Sequence, residues 1–196
     1  SPDISKGQRV EAGKKYGLDP DKPTVVFVGG SMGAERINEL ALGVMASPSR
    51  VFQVIHLTGK RYFDQVVAQL DGTPEGTAVV DYEDRMDLAF SIADLMVSRS
   101  GSSTLGEIAA TGTASLLIPS PHVTENHQEH NARGLASIGA AEVLLEANWS
   151  LSDSVAIVAK LMKDSERLEK MENAAQGASM MEAACSAADH IETLIH

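Results

Sequence analysis

With 196 residues, 43% of them hydrophobic, the chain can bury a full core, and its single cysteine excludes a small disulfide-stapled fold. Its formal net charge of −11 works against general affinity for nucleic acid and against electrostatic adsorption on anionic lipid, but a small phosphorylated ligand met by local N–H groups remains compatible. No apolar run approaches the roughly 20 residues that span a bilayer, and Ser1–Lys6 holds no signal-peptide core, so the composition reads as a soluble chain of a reducing cytoplasm.

Residues 1–22 read as a linker, with a polar start, a weak helical segment at Val10–Tyr16, and a break over Gly17-Leu18-Asp19-Pro20-Asp21-Lys22-Pro23. Such a start suits a segment entering a domain or a piece of a longer protein. Asp19-Pro20-Asp21 superficially resembles a metal-binding pair of acids, but it precedes the first core strand and reads as a surface turn. Thr24–Val28 is the first expected strand, followed by Gly29-Gly30-Ser31-Met32-Gly33-Ala34 and a helix whose apolar face is Ile37, Leu40, Ala41 and Val44. The spacing predicts that this helix begins at the glycines. Unpaired N–H groups of a first helical turn attract anions, and glycine lets a phosphate approach without meeting a Cβ. With serine in the third place, the run is not the G-x-G-x-x-G dinucleotide fingerprint, and NAD is disfavoured.

Further strands are expected near Val51–Leu57, Thr77–Val80, Asp94–Val97, Ala114–Ile118 and Ala141–Leu145, alternating with helical segments. Several of these runs are apolar without period-2 alternation, as strands covered on both faces should be. The fold class is therefore α/β, a Rossmann-like parallel sheet with helices on both faces. Ligands of such sheets bind beyond the C-terminal strand ends, where His56-Leu57-Thr58-Gly59-Lys60 and Tyr82–Met86 also lie. Asp84, Arg85 and Asp87 read as capping or solvated groups.

The fourth strand runs into Ser98-Arg99-Ser100-Gly101-Ser102-Ser103-Thr104, a second Gly/Ser junction, before a helix with Leu105, Ile108 and Ala109 on one face. Glu107 stands three residues after Thr104, close enough to the helix start to accept two ribose hydroxyls or to form a capping box with Thr104. The polar stretch Pro119–Arg133 contains three histidines, but His127 and His130 do not make an H-E-x-x-H site, and no metal is expected. Asn126, His127 and Gln128 offer neutral donors and acceptors suited to sugar hydroxyls. After Trp149, Ser150-Leu151-Ser152-Asp153 reads as a helix cap, with Val155, Ile157, Val158, Leu161 and Met162 continuing an apolar face. Residues 23–148 thus form the expected nucleotide-binding domain, and residues 149–196 form helices packing on it. Cys185 falls in a helical stretch, Met180–Leu194, where packing is its expected role.

Four motifs in order, Gly29–Ala34, His56–Lys60, Ser98–Thr104 with Glu107, and Pro119–His122 through Asn126-His127-Gln128 and Asn131-Ala132, make the chain resemble the C-terminal domain of the MurG family of peptidoglycan glucosaminyltransferases. That family has two Rossmann-like domains, an arrangement called GT-B, and its C-terminal half holds the UDP-N-acetylglucosamine donor. The resemblance implies that Gly30, Ser31, Met32 and Gly33 meet the diphosphate or sugar and that Ser103 and Thr104 bind phosphate. It likewise implies that Glu107 holds the ribose, backbone at Glu83 reads the uracil, Met86 packs beside the nucleotide, and His127 and Gln128 contact the sugar. Met32 stands where several relatives carry glutamine. The implied reaction is an inverting transfer to lipid-linked muramoyl-pentapeptide, with no cofactor and no metal in the site. Its general base, acceptor pocket and membrane contact belong to the N-terminal domain. Two alternatives stay open: a UDP-N-acetylglucosamine 2-epimerase of the same architecture, and a stand-alone donor-binding subunit of a split glycosyltransferase.

Overall fold

A computed structural model describes residues 2–122 and 126–178. The expected stretch Met180–Leu194, with Cys185, lies outside the described residues, as do Val123–Glu125 of the polar loop.

Six strands form one parallel sheet: β1 Thr24–Val28, β2 Gln53–Leu57, β3 Thr77–Val80, β4 Leu95–Ser98, β5 Ser115–Leu117 and β6 Ala141–Val143. Their spatial order is β3-β2-β1-β4-β5-β6. Chain progression runs outward in one direction from β1 and in the other from β4, so the topological switch point falls between these two neighbours, paired from Val25↔Leu95 to Val28↔Ser98. Crevices at such switch points open beyond the strand C-termini.

The uninterrupted apolar runs have a direct cause. Val25 and Phe27 of β1 point into one core, with Val54, Leu95, Val97 and Leu116, while Val26 points into the other, with Ile55, Met96 and Leu117. Successive side chains face opposite sides of a sheet, and here both sides are dry. The first core is closed by Ile37, Leu40, Ala41 and Val44 of α2 (Glu35–Met45) and by Val158, Leu161 and Met162 of the helix Leu151–Lys163. A following helix over residues 165–178 adds Leu168 and Met171. Ser150 caps Leu151–Lys163 by accepting from the Asp153 N–H at 3.4 Å, as its sequence foreshadows.

The second core is closed by α4 (Met86–Ile92), by Ile108 of α5 (Ser102–Thr111), by Ala132 of α6 (His127–Ser137), and by α1. Helix α1 covers Pro2–Tyr16, well beyond the segment its apolar residues suggested. Among its described side chains the buried hydrophobics are Ala12 and Tyr16, with Leu18 just beyond, so its pattern is too sparse to announce a core-facing helix. Arg9 fastens it by donating to the Pro20 carbonyl at 2.7 Å and to Asp94 at 2.9 Å. Residues 1–22 therefore include a packed helix rather than only a connection. Asp19–Asp21 is a turn, in which Asp19 Oδ1 accepts from the Asp21 N–H at 3.0 Å.

Strand edges moved slightly. Val51 is 71% exposed and precedes β2, while Asp94 falls just before β4, its carboxylate accepting from the Thr24 N–H at 2.7 Å. A short helix α3 (Phe63–Val67) lies between β2 and β3.

Candidate functional site

The two Gly/Ser junctions leave β1 and β4 on the same rim of the sheet, and a cleft of about 320 Å³ opens between them. Its walls include Gly30 and Ser31 after β1, Gly59 after β2, Asp81, Tyr82, Glu83 and Met86 after β3, and Ser103, Thr104 and Glu107 on α5. The expected residues Gly30, Ser31, Glu83, Met86, Ser103, Thr104 and Glu107 are thus brought together. Met32, Gly33, His127 and Gln128 do not line this cleft.

The first junction departs from its expected form. Helix α2 starts at Glu35 with Ala34 as N-cap, not at the glycines. Gly29–Gly33 instead form a loop, closed by the Gly33 N–H donating to the Gly30 carbonyl at 3.0 Å. Gly33 has φ +78°, and a Cβ there would stand 2.3 Å from the Thr58 carbonyl oxygen. A Cβ on Gly59 would come equally close to the Gly33 nitrogen. These glycines let the β1 and β2 loops touch backbone to backbone. Gly30, also at positive φ, has open space around its α-carbon, which leaves its backbone accessible from the cleft. Met32 is 68% exposed.

His56 explains how the second loop is held. It is fully buried, its Nε2 lies 2.9 Å from Asn38 Oδ1, and Asn38 Nδ2 donates to the Thr58 carbonyl at 3.2 Å. Because Asn38 Oδ1 only accepts, the proton sits on Nε2, and Nδ1 has no partner among the described residues. Burial pushes the imidazole pKa down to about 4, so the ring is neutral at physiological pH. The His56–Lys60 motif therefore shapes the wall rather than touching a ligand through its histidine. Lys60 Nζ lies 4.6 Å from the centre of the Tyr82 ring, joining the β2 and β3 loops across the cleft mouth.

The second junction matches its expected form. Gly101 is the N-cap of α5, in extended conformation, so Ser102, Ser103 and Thr104 occupy the first turn. Thr104 lies inside the helix and is not its cap, which removes the capping box as an account of Glu107. Among the described residues, no hydrogen bond engages the side chains of Ser103, Thr104 or Glu107. Two hydroxyls in the first turn and a carboxylate one turn on, all lining the cleft, are free to hydrogen-bond into it. Arg99 faces elsewhere, donating to the Ile118 carbonyl at 3.0 Å and pairing with Glu146.

The polar loop is tied to this junction. Buried Ser100 donates to the Gln128 carbonyl at 2.7 Å, and Asn131 Nδ2 donates to the Ser100 carbonyl at 3.3 Å. Gln128 Oε1 accepts from the Ser120 N–H at 2.9 Å, leaving its amide nitrogen as the donor on offer. His127 is exposed at the start of α6. These two residues flank the second junction at its β5 side, beyond the nucleotide-sized cleft.

Glu83 carries a feature that sequence reading missed. Its carboxylate is buried and accepts from Lys15 Nζ, from Tyr16 Oη at 2.6 Å and from the Arg85 N–H at 2.7 Å. Burial pushes this carboxyl upward, but the three donors together outweigh it and hold it below the ordinary carboxylate range. Burial, then the hydrogen bond to that carboxylate, raises the Tyr16 phenol above its usual value. No short-range pattern links residues 15 and 16 to 83. Only the packing of α1 on α4 does.

Comparison with known proteins places these features in a family. Residues 24–191 match the model of the glycosyltransferase family 28 C-terminal domain. The chain is 42% identical over 167 residues to the UDP-N-acetylglucosamine--N-acetylmuramyl-(pentapeptide) pyrophosphoryl-undecaprenol N-acetylglucosamine transferase of Oenococcus oeni, covering 83% of this chain and 45% of that protein. It is 33% identical over 196 residues to the protein of that name from Caldanaerobacter subterraneus, covering 98% and 54%. The crystal structure of Acinetobacter baumannii MurG superposes with a TM-score of 0.76 at 29% identity, over 88% of this chain and 53% of that one. The chain spans about half the length of the curated relatives it matches. Among the described residues, no helix is long and apolar enough to cross a membrane.

Proposed function

Because the chain belongs to the glycosyltransferase family 28 C-terminal domain family, we propose that it is the donor-binding half of a hexosyltransferase that moves N-acetylglucosamine from UDP-N-acetylglucosamine to lipid-linked muramoyl-pentapeptide in peptidoglycan synthesis. The observation that carries this reading is the set Ser103, Thr104 and Glu107, whose side chains have no hydrogen bond among the described residues, facing the Gly30–Ser31 loop across the switch-point cleft. In this assignment the α5 N-terminus and the two hydroxyls take the diphosphate, with backbone N–H groups of the Gly30–Ser31 loop opposite them. Glu107 accepts from the ribose hydroxyls, backbone of the loop 81–86 meets the base, and Met86 packs beside it. Gln128, with His127, takes sugar hydroxyls, and Gly33 acts by holding the loop.

Chemically, an acceptor hydroxyl attacks the anomeric carbon as the bond to the UDP oxygen breaks, and negative charge grows on the diphosphate. Fixed N–H dipoles and hydroxyls at that position stabilise the charge most where it is fully developed, in the transition state. This chain supplies leaving-group stabilisation and donor orientation. The acceptor site and general base are assigned to a partnering N-terminal domain, which also makes the contact with the cytoplasmic face of the membrane. The strong negative charge of this half suits that division, since anionic lipid repels it.

Calorimetric titration with UDP tests the reading. Glu107→Ala is expected to weaken UDP binding about tenfold or more, the loss of hydrogen bonds to a charged acceptor, while binding of inorganic pyrophosphate stays unchanged. Equal UDP affinity in the variant would remove the ribose assignment.

A further inference from the structure

The loop 81–86 lines the cleft through Asp81, Tyr82, Glu83 and Met86, and it is gripped from two sides. At one end Lys60 lies over the Tyr82 ring, and the Tyr82 N–H donates to Asp81 Oδ1 at 2.7 Å. At the other, Glu83 reaches back to the last turn of α1, where Lys15 and the buried Tyr16 hold its two carboxylate oxygens. A buried carboxylate is a costly way to fill space, because an apolar side chain needs no partners. It does fix a backbone in one place, since each oxygen must stay within hydrogen-bond reach of its donor. The Arg85 N–H, donating to the same carboxylate, extends that constraint into the first residue before α4.

We infer that Lys15 and Tyr16 are positioning residues for base recognition: through Glu83 they set the backbone of residues 81–86 against the nucleobase of the donor. The inference rests on the donor-binding reading above. It makes α1, far from the cleft in sequence, part of what distinguishes one nucleotide from another. Diphosphate binding depends on the opposite wall, at Gly30–Ser31 and Ser103–Thr104, so the two halves of the ligand report separately.

The test is titration of the 196-residue chain with UDP, CDP and inorganic pyrophosphate. A triple variant, Lys15→Met with Tyr16→Phe and Glu83→Leu, replaces all three side chains of the cluster without changing net charge, and leaves the N–H of the exposed Arg85 to water. It is expected to lose about 5- to 10-fold in UDP affinity and most of the preference for UDP over CDP, while pyrophosphate affinity holds. Tyr16→Phe alone removes one oxygen and is expected to weaken UDP about 2- to 3-fold, again sparing pyrophosphate. Hydrogen exchange of the 82–86 amides should quicken in both variants, with Gly30–Gly33 unaffected. Unchanged UDP affinity and base preference in Tyr16→Phe and the triple variant would overturn the inference, as would a loss shared equally by pyrophosphate. Failure of the unsubstituted chain to bind UDP would instead overturn the donor reading itself, and this inference with it.

Discussion

The junctions after β1 and β4 look alike as strings of glycine and serine at the ends of neighbouring strands, but they differ in what their backbones are free to do. After β1, Gly29, Gly33 and the opposing Gly59 are consumed by close packing, and the helix waits until Glu35. After β4, a Cβ on Gly101 would meet nothing among the described residues, the helix begins at Ser102, and the Ser103 and Thr104 hydroxyls line the cleft with no hydrogen bond among those residues. The first junction is spent mostly on packing, with Gly30 and Ser31 left on the cleft, while the second turns the hydroxyls of Ser103 and Thr104 to it. A Gly/Ser turn after a strand therefore signals either role, and the contacts a Cβ would make decide which.

Substitutions can break that contrast. Gly33→Ala combines a left-handed backbone with a collision against a carbonyl, and is expected to cost at least about 3 kcal/mol of stability in chemical denaturation. Gly30→Ala, with the same sign of φ and no collision, is expected to cost about 1–2 kcal/mol. Gly101→Ala should cost at most about 1 kcal/mol, since its backbone is extended and its surroundings open. An equal penalty at all three positions would show that packing does not distinguish the junctions.

The wall also has a pH signature. His56 is neutral when folded, with a pKa near 4 against the ordinary 6.5, so the unfolded chain binds more protons between those values. Stability is then fully present above pH 6.5 and falls as the pH drops toward 4, by up to about 3 kcal/mol for this group. His56→Gln, which keeps an N–H for Asn38, is expected to flatten that part of the stability profile; an unchanged slope would assign the acid sensitivity elsewhere. At the start of α5 the expected effects are smaller. Thr104→Val, which keeps shape and removes the hydroxyl, should weaken pyrophosphate and UDP alike by about 2- to 10-fold with little change in melting temperature.

Much of this was legible from residue order. Parallel strands flanked by helices followed from apolar runs without alternation, and the α5 junction followed from glycine and hydroxyls placed between a strand and a helical face. The α1 helix was not legible as core, because Ala12 and Tyr16 are too few to form a stripe, and its hold on Glu83 links residues 67 and 68 positions apart. The late start of α2 escaped for a related reason, since glycine permits both a helix start and a packed loop.

Local order determined which segments form strands and helices and where donor groups collect, because hydrophobic period and capping chemistry act over a few residues. Tertiary structure alone decided that Gly33 serves packing while Gly30 faces the cleft, that Glu107 lines that cleft, and that Glu83 is held from α1. Those outcomes depend on which distant backbone or side chain lies within a few ångströms, and separation along the chain carries no record of that distance.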